Sequence, residues 1–128
     1  MRTFCELYVK TILPVLRAFV ARELITNYSL SQMEAAKVLG ITQASINYYL
    51  YGRRCSKLLK SFGKIPEIKK AAHVVSEALV KGKKENISEI VCELCRTIRQ
   101  NKEYLNIVLN VMGIEKINDV LFPHEMRK

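Results

Sequence analysis

Residues 31–54 read SQMEAAKVLGITQASINYYLYGRR, and their order of capping, apolar and turn residues decides the fold. Ser31 is placed to cap a helix, with Glu34 three residues on to close a capping box. Ala35, Ala36 and Leu39 then give an apolar face at helical spacing. Gly40 stands where the chain must turn sharply, the common place for glycine at a helix end. Ile41 is a buried-type residue inside that turn. Thr42 can cap a second helix that runs to about Tyr51, where Gly52 stops it and Arg53 and Arg54 follow at once. In the second helix Ile46 and Tyr49 or Leu50 share one face, and Thr42, Gln43, Ala44, Asn47 and Tyr48 share another.

This is the sequence form of a DNA-binding helix-turn-helix. The small Ala36 lets the two helices cross closely, and Ile46 fills the space between them. An ordinary helical corner would have the same apolar seam. The difference lies in the polar side chains at the start of the second helix, where a recognition helix meets base edges. Gln43 suits a bidentate pair with adenine, donating to N7 and accepting from N6, and Asn47 lies one turn later on the same face. Ala44 and the Thr42 methyl suit contact with a thymine methyl. Tyr48 and Tyr51 suit the sugar–phosphate backbone. Arg17, Arg22, Arg53 and Arg54 suit phosphates, which position a protein without reading sequence.

These residues resemble the phage-repressor and Cro-like (XRE-type) helix-turn-helix family. Closer still is the resemblance to archaeal regulators of that type, in which a segment like CE…LP…R…A.EL precedes LSQ…A..LGIT…I..YL.G.R. The matching positions are Cys5, Glu6, Leu13, Pro14, Arg17, Ala21, Glu23 and Leu24, then residues 30–54. The likeness covers about the first 55 residues and reaches the CELCRTIR stretch of residues 92–99 more weakly. It implies that Gln32, opening the first helix of the pair, bonds a phosphate and also holds Gln43. Some archaeal proteins with a similar front half continue into a thiamine-phosphate synthase-like domain and repress vitamin synthesis. Nothing in residues 55–128 matches that domain, so the vitamin ligand does not carry over.

The 128 residues suit one domain, or a small domain with a dimerising extension, and 49% of them are apolar, enough for a core. The net charge of +9 is unevenly placed. Residues 1–54 hold seven Lys or Arg against three carboxylates, and residues 55–84 hold eight lysines against two. Residues 85–128 are slightly acidic. Positive charge therefore lies in and just after the helix pair, as phosphate neutralisation requires, although lysine-rich helices are also often simply solvated. No apolar run is long enough to span a membrane, and the N-terminus, MRTFCELYVK, does not read as a signal peptide, so a cytoplasmic protein is expected.

Along the rest of the chain the expected fold class is all-α. Residues 4–26 look helical, but Pro14 predicts a kink, or a break with a new helix starting there. The part before Pro14 reads as an arm free to reach a partner subunit or the C-terminal half. A short basic helix is expected over residues 55–62. Longer helices are expected from Pro66 to about Val80, from Ile87 to Arg99 and from Asn101 to Met112, with a last short one from Ile114 to Leu121. The tail after Pro123 reads as loose. Two regions result: residues 1–62 for DNA and residues 63–128 for dimerisation or sensing.

The four cysteines are Cys5, Cys55, Cys92 and Cys95. Four thiolates close a zinc site or hold an iron–sulfur cluster, and Cys92 and Cys95 form a CxxC that on a helix brings two thiols to one side. No second CxxC is present, so three readings stay open: metal or cluster binding, thiol redox sensing, and plain packing. A site of Cys5, Cys92 and Cys95 alone is a variant of the first. No Ser/His/Asp set, Gly-rich phosphate loop or HExxH occurs, so no enzyme is expected, and no small-molecule ligand can be named. The expected function is a transcription regulator, a repressor in type, that binds double-stranded DNA as a homodimer through residues 42–51. The competing class is a helical protein-interaction module, antitoxin-like or scaffold-like, without sequence-specific DNA binding.

Overall fold

The computed structural model describes residues 2–122. Among them the chain is almost entirely helical: α1 (Phe4–Thr26), α2 (Gln32–Leu39), α3 (Gln43–Tyr51), α4 (Arg53–Phe62), α5 (Pro66–Val80), α6 (Ile87–Gln100) and α7 (Lys102–Met112). The all-α expectation is met at this level. No helix among these residues is long and apolar enough to cross a membrane.

Local chemistry sets the helix ends. Ser31 Oγ accepts from the Glu34 amide and Glu34 Oε1 accepts from the Ser31 amide, both at 3.1 Å, which is a complete capping box. At the other end of α2, Gly40 has φ +71°, a conformation that costs other L-residues about 1–2 kcal/mol. It lets the Gly40 amide donate to Lys37 and the Ile41 amide donate to Ala36, so the last carbonyls of α2 are satisfied. Thr42 Oγ1 caps α3 by accepting from the Ser45 amide at 3.1 Å. Pro66 sits in the first turn of α5, where its missing N–H is harmless. Asn101 Oδ1 caps α7 through the Tyr104 amide.

α1 is the central element. It packs on α2, α3 and α4 from the front of the chain and on α5, α6 and α7 from the back. A continuous apolar cluster runs from Phe4, Leu7 and Ile12 through Ala35, Ile46 and Phe62 to Ile68, Ile98 and Val108.

Two expectations need correction and one is met in part. Of the kink or break expected at Pro14 the break does not occur, because α1 is one helix of 23 residues that runs through it. A proline inside a helix costs about 3 kcal/mol. Phe4, Leu7, Tyr8 and Ile12 are buried before it and Val15, Leu16, Val20 and Leu24 after it, and each such side chain contributes about 1.5–3 kcal/mol. Burial on both sides outweighs the defect, and the carbonyl deprived of a donor belongs to Lys10, an exposed residue that water can reach. The residues before Pro14 are not a separate arm but the first half of α1, and of the two expected partners they reach the C-terminal half. Tyr8 donates its hydroxyl to the Val91 carbonyl of α6 at 2.9 Å, and the Phe4 ring stacks on Phe122 at 5.7 Å. Finally, residues 114–121 form no α-helix. A 3₁₀ turn (Ile117–Asp119) leads into strand β2 (Val120–Leu121), which pairs in parallel with β1 (Arg2–Thr3), Arg2 opposite Val120. The tail and His124 lie outside the described residues.

Candidate functional site

α3 has two faces. Ile46 is 0% exposed and ties the helix to Ala35 and Ala36 of α2 and to α1, while Tyr49 and Leu50 are half-buried beside it. The opposite face carries Gln43, Ala44, Asn47, Tyr48 and Tyr51, all turned to solvent. Tyr51 is 70% exposed. Ala44, Asn47, Tyr48, Tyr51 and Gly52 line one shallow surface hollow. Five of the residues expected to meet DNA are therefore on one side of α3, and among the described residues no side-chain hydrogen bond engages Gln43 or Asn47.

Thr42 is in part committed elsewhere. Its hydroxyl caps α3 and lies 3.0 Å from Ser45 Oγ, so only its methyl is free for a base. Gln32 is half-buried in the first turn of α2, and no hydrogen bond joins it to Gln43. Tyr48 meets Tyr49 edge-on at 5.4 Å, which links the exposed face to the inner one.

Beyond Gly52 the chain enters α4 directly, with Arg53 and Arg54 exposed in its first turn. This turn has no capping side chain and no carboxylate. Two cations at the positive end of a helix are locally unfavourable, and neither has an ion-pair partner among the described residues. The amides and both arginines together make an anion-attracting end next to the α3 hollow. Arg22 is exposed on α1. Arg17, expected at a phosphate, instead reaches inward, where Nη1 donates to the Tyr49 hydroxyl at 3.5 Å. This contact between α1 and α3 was not visible in the sequence, because the two residues are far apart in it.

The cysteines divide. Cys55 is buried behind α3, and its thiol donates to the Tyr49 carbonyl at 3.6 Å. Burial pushes this thiol above its ordinary range, with Arg22 opposing. Cys95 is buried on α6, where Arg99 Nη1 donates to its Sγ at 3.4 Å. Burial pushes Cys95 up as well; the nearby Arg99 lowers it, and Cys5 and Cys92 add a smaller rise. Cys5 and Cys92 are exposed. The electrostatic neighbours of Cys95 are thus Arg99 first, then Cys5 and Cys92. Cys55 is buried on α4 with its thiol on the Tyr49 carbonyl. Among the described residues no group of three or more His, Cys, Asp or Glu is disposed to hold a metal ion. Tyr8 lies beside the pair on α6; burial first, then Cys95 and Cys92, push its hydroxyl above the ordinary tyrosine range.

No family model, curated protein or solved structure matches the chain. The site has to be read from its own residues.

Proposed function

We propose that the chain is a sequence-specific, double-stranded-DNA-binding transcription regulator of the phage-repressor (XRE-like) type, with α2 and α3 as its helix-turn-helix. The observation that carries this reading is the division of α3. One side is fixed in the core by Ile46, and the other exposes Gln43, Ala44, Asn47 and Tyr48 beside two arginines with no ion-pair partner among the described residues. A rigid helix offering amide side chains to solvent next to an anion-attracting helix end fits a major groove flanked by phosphates. Gln43 and Asn47 read base edges, Ala44 and the Thr42 methyl meet thymine, and Arg53 and Arg54 hold the backbone. The net charge of +9 draws the protein to nucleic acid at long range.

One such module makes few base contacts, so the active form is a homodimer on a palindromic site. The open apolar cleft between α5 and α6 supports this. Val74 stands 48% exposed in it beside Ala71, Ile90 and Leu94, with Glu67 and Lys70 from α5 and Glu89 and the Arg96-paired Glu93 from α6. A two-fold axis through the cleft would set Lys70 of each copy against the acids of its mate.

The test is selection of duplexes from a random pool by the full chain, followed by fluorescence anisotropy on the winning sequence over a salt series. A recovered consensus, with affinity well above that for scrambled duplex, is expected. Failure to enrich any sequence at low salt would overturn the reading in favour of a protein-interaction module.

A further inference from the structure

A second hollow lies behind the helix pair, between its turn and the C-terminal half. It is a cleft of about 410 Å³, within the range of small-molecule sites. Its walls are apolar: Leu13, Val20, Leu39, Val75, Leu79 and Val91 come from α1, α2, α5 and α6. The residues with polar side chains on its lining are Arg17, Lys84 and Ser88, the last two exposed at its edge. No Asp or Glu lines it. Neither cation has an ion-pair partner among the described residues, and the bond from Arg17 to the Tyr49 hydroxyl is long, at 3.5 Å. An apolar chamber with two uncompensated cations and one hydroxyl matches a molecule with an apolar body and one anionic head.

We propose that this cleft binds a small monocarboxylate with an apolar body, and that its occupancy is felt at α3 through Arg17 and Tyr49. The hydrocarbon part fills the space between Val20, Leu79 and Val91. The carboxylate takes paired donors from Arg17, with Lys84 and Ser88 closing around it. A carboxylate is a far stronger partner for a guanidinium than a phenol at 3.5 Å, so binding draws Arg17 away from Tyr49. Tyr49 packs edge-on against Tyr48, which belongs to the exposed face of α3, and Leu39 and Gly40 at the α2–α3 turn line the same cleft. The ligand and the outer face of α3 therefore compete for one side-chain arrangement. The coupling to DNA rests on the function proposed above; the binding site itself does not.

The experiment titrates the full chain with hexanoate, octanoate and decanoate and with the matching alcohols, following amide NMR shifts and calorimetry. Octanoate is expected to bind below about 1 mM and to shift Leu79, Val91 and Tyr49 signals. Each added CH₂ should tighten binding about fourfold, until the cleft is full. Octanol should bind at least about tenfold more weakly than octanoate. Lys84→Glu, a change at an exposed position, should weaken octanoate by about tenfold while leaving binding of octanol unchanged. Leu79→Trp, which fills the chamber, should abolish binding of both. No carboxylate binding up to about 5 mM, or equal binding of acid and alcohol, would overturn the site. Saturating octanoate is expected to change duplex affinity at least about threefold. Octanoate binding with no effect on duplex affinity would overturn the coupling alone, and a chain that binds octanoate but selects no duplex would overturn the proposed function alone.

Discussion

Replacing Arg53 and Arg54 together by alanine should weaken DNA binding and strengthen the fold. Each arginine that neutralises one phosphate contributes about 0.9 to the slope of log K against log salt. Losing both lowers the slope by about 1.8 for each bound protomer, hence by about 3.6 for a dimer on a full site. Over a fourfold rise in salt, the affinity of a wild-type protomer should fall about twelvefold further than that of the variant. Stability moves the other way. The two cations occupy the first turn of a helix with no capping side chain and no acid, so each opposes the dipole there by about 0.3–1 kcal/mol. The double variant should therefore melt a few degrees higher. Anisotropy titrations at several salt concentrations, on the selected site and on a scrambled duplex, measure the first effect, and differential scanning calorimetry measures the second. The loss should be the same on both duplexes, because phosphates carry no sequence. An unchanged slope would remove these arginines from the phosphate contacts. A loss confined to the selected site would mean that they read bases, and a lower melting temperature would mean that they hold the fold together.

Gln43→Ala should cost about 1–3 kcal/mol of specific affinity and relax preference at one base position, read from competition with single-substituted duplexes. Gly52→Ala should destabilise the protein by about 1–3 kcal/mol in urea unfolding, since a Cβ there would lie 2.6 Å from the Tyr48 carbonyl oxygen. Stability should fall as pH rises past about 9: Cys55 and Cys95 start from 9.0 and Tyr8 from 10.0, and all three are raised in the fold, so the unfolded chain loses these protons first. Melting curves from pH 7 to 11 should show this decline, and Tyr8→Phe should flatten it. Val74→Glu should shift the dimer to monomer in sedimentation and weaken binding to a palindrome far more than to a half-site.

The elements that could be read in advance are those whose signals lie within a few residues. Ser31 with Glu34, Gly40, Thr42, Asn101 and Gly113 each mark a helix end through a bond to a near neighbour, Pro66 marks one by its fixed φ, and α2, α3, α5 and α7 begin or end close to where these residues place them. The exposed face of α3 was legible for the same reason, because helical spacing alone puts Gln43, Ala44, Asn47 and Tyr48 together once Ile46 is buried. Pro14 misled because its cost is local and fixed, whereas the burial that overrides it depends on α5, α6 and α7, all distant in sequence. The last residues misled because Val120 and Leu121 find their partners at Arg2 and Thr3, at the other end of the chain. The four cysteines could be counted but not placed. Whether a thiol faces its fellows or the core depends on how α1, α4 and α6 cross, and α4 turns Cys55 toward the Tyr49 carbonyl.

The same crossing explains why the inner side of α3 matters as much as its outer side. Ile46 alone could hold the helix by burial, and nothing more would be needed for a static reader of DNA. Two further bonds reach α3 from behind, Arg17 to the Tyr49 hydroxyl and the Cys55 thiol to the Tyr49 carbonyl. Both end on one residue, and the arginine bond is long, at 3.5 Å. A strongly bonded Tyr49 would fix the register of the recognition face. A weakly bonded one leaves that face adjustable by whatever competes for Arg17. The cleft that contains Arg17 also touches the α2–α3 turn at Gly40 and the start of α6 at Ile87 and Ser88. Front and back halves of the chain therefore both line this cleft, and the Arg17 in it also bonds α3. If α3 meets DNA as proposed, a ligand in this cleft would act on it through Arg17 and Tyr49.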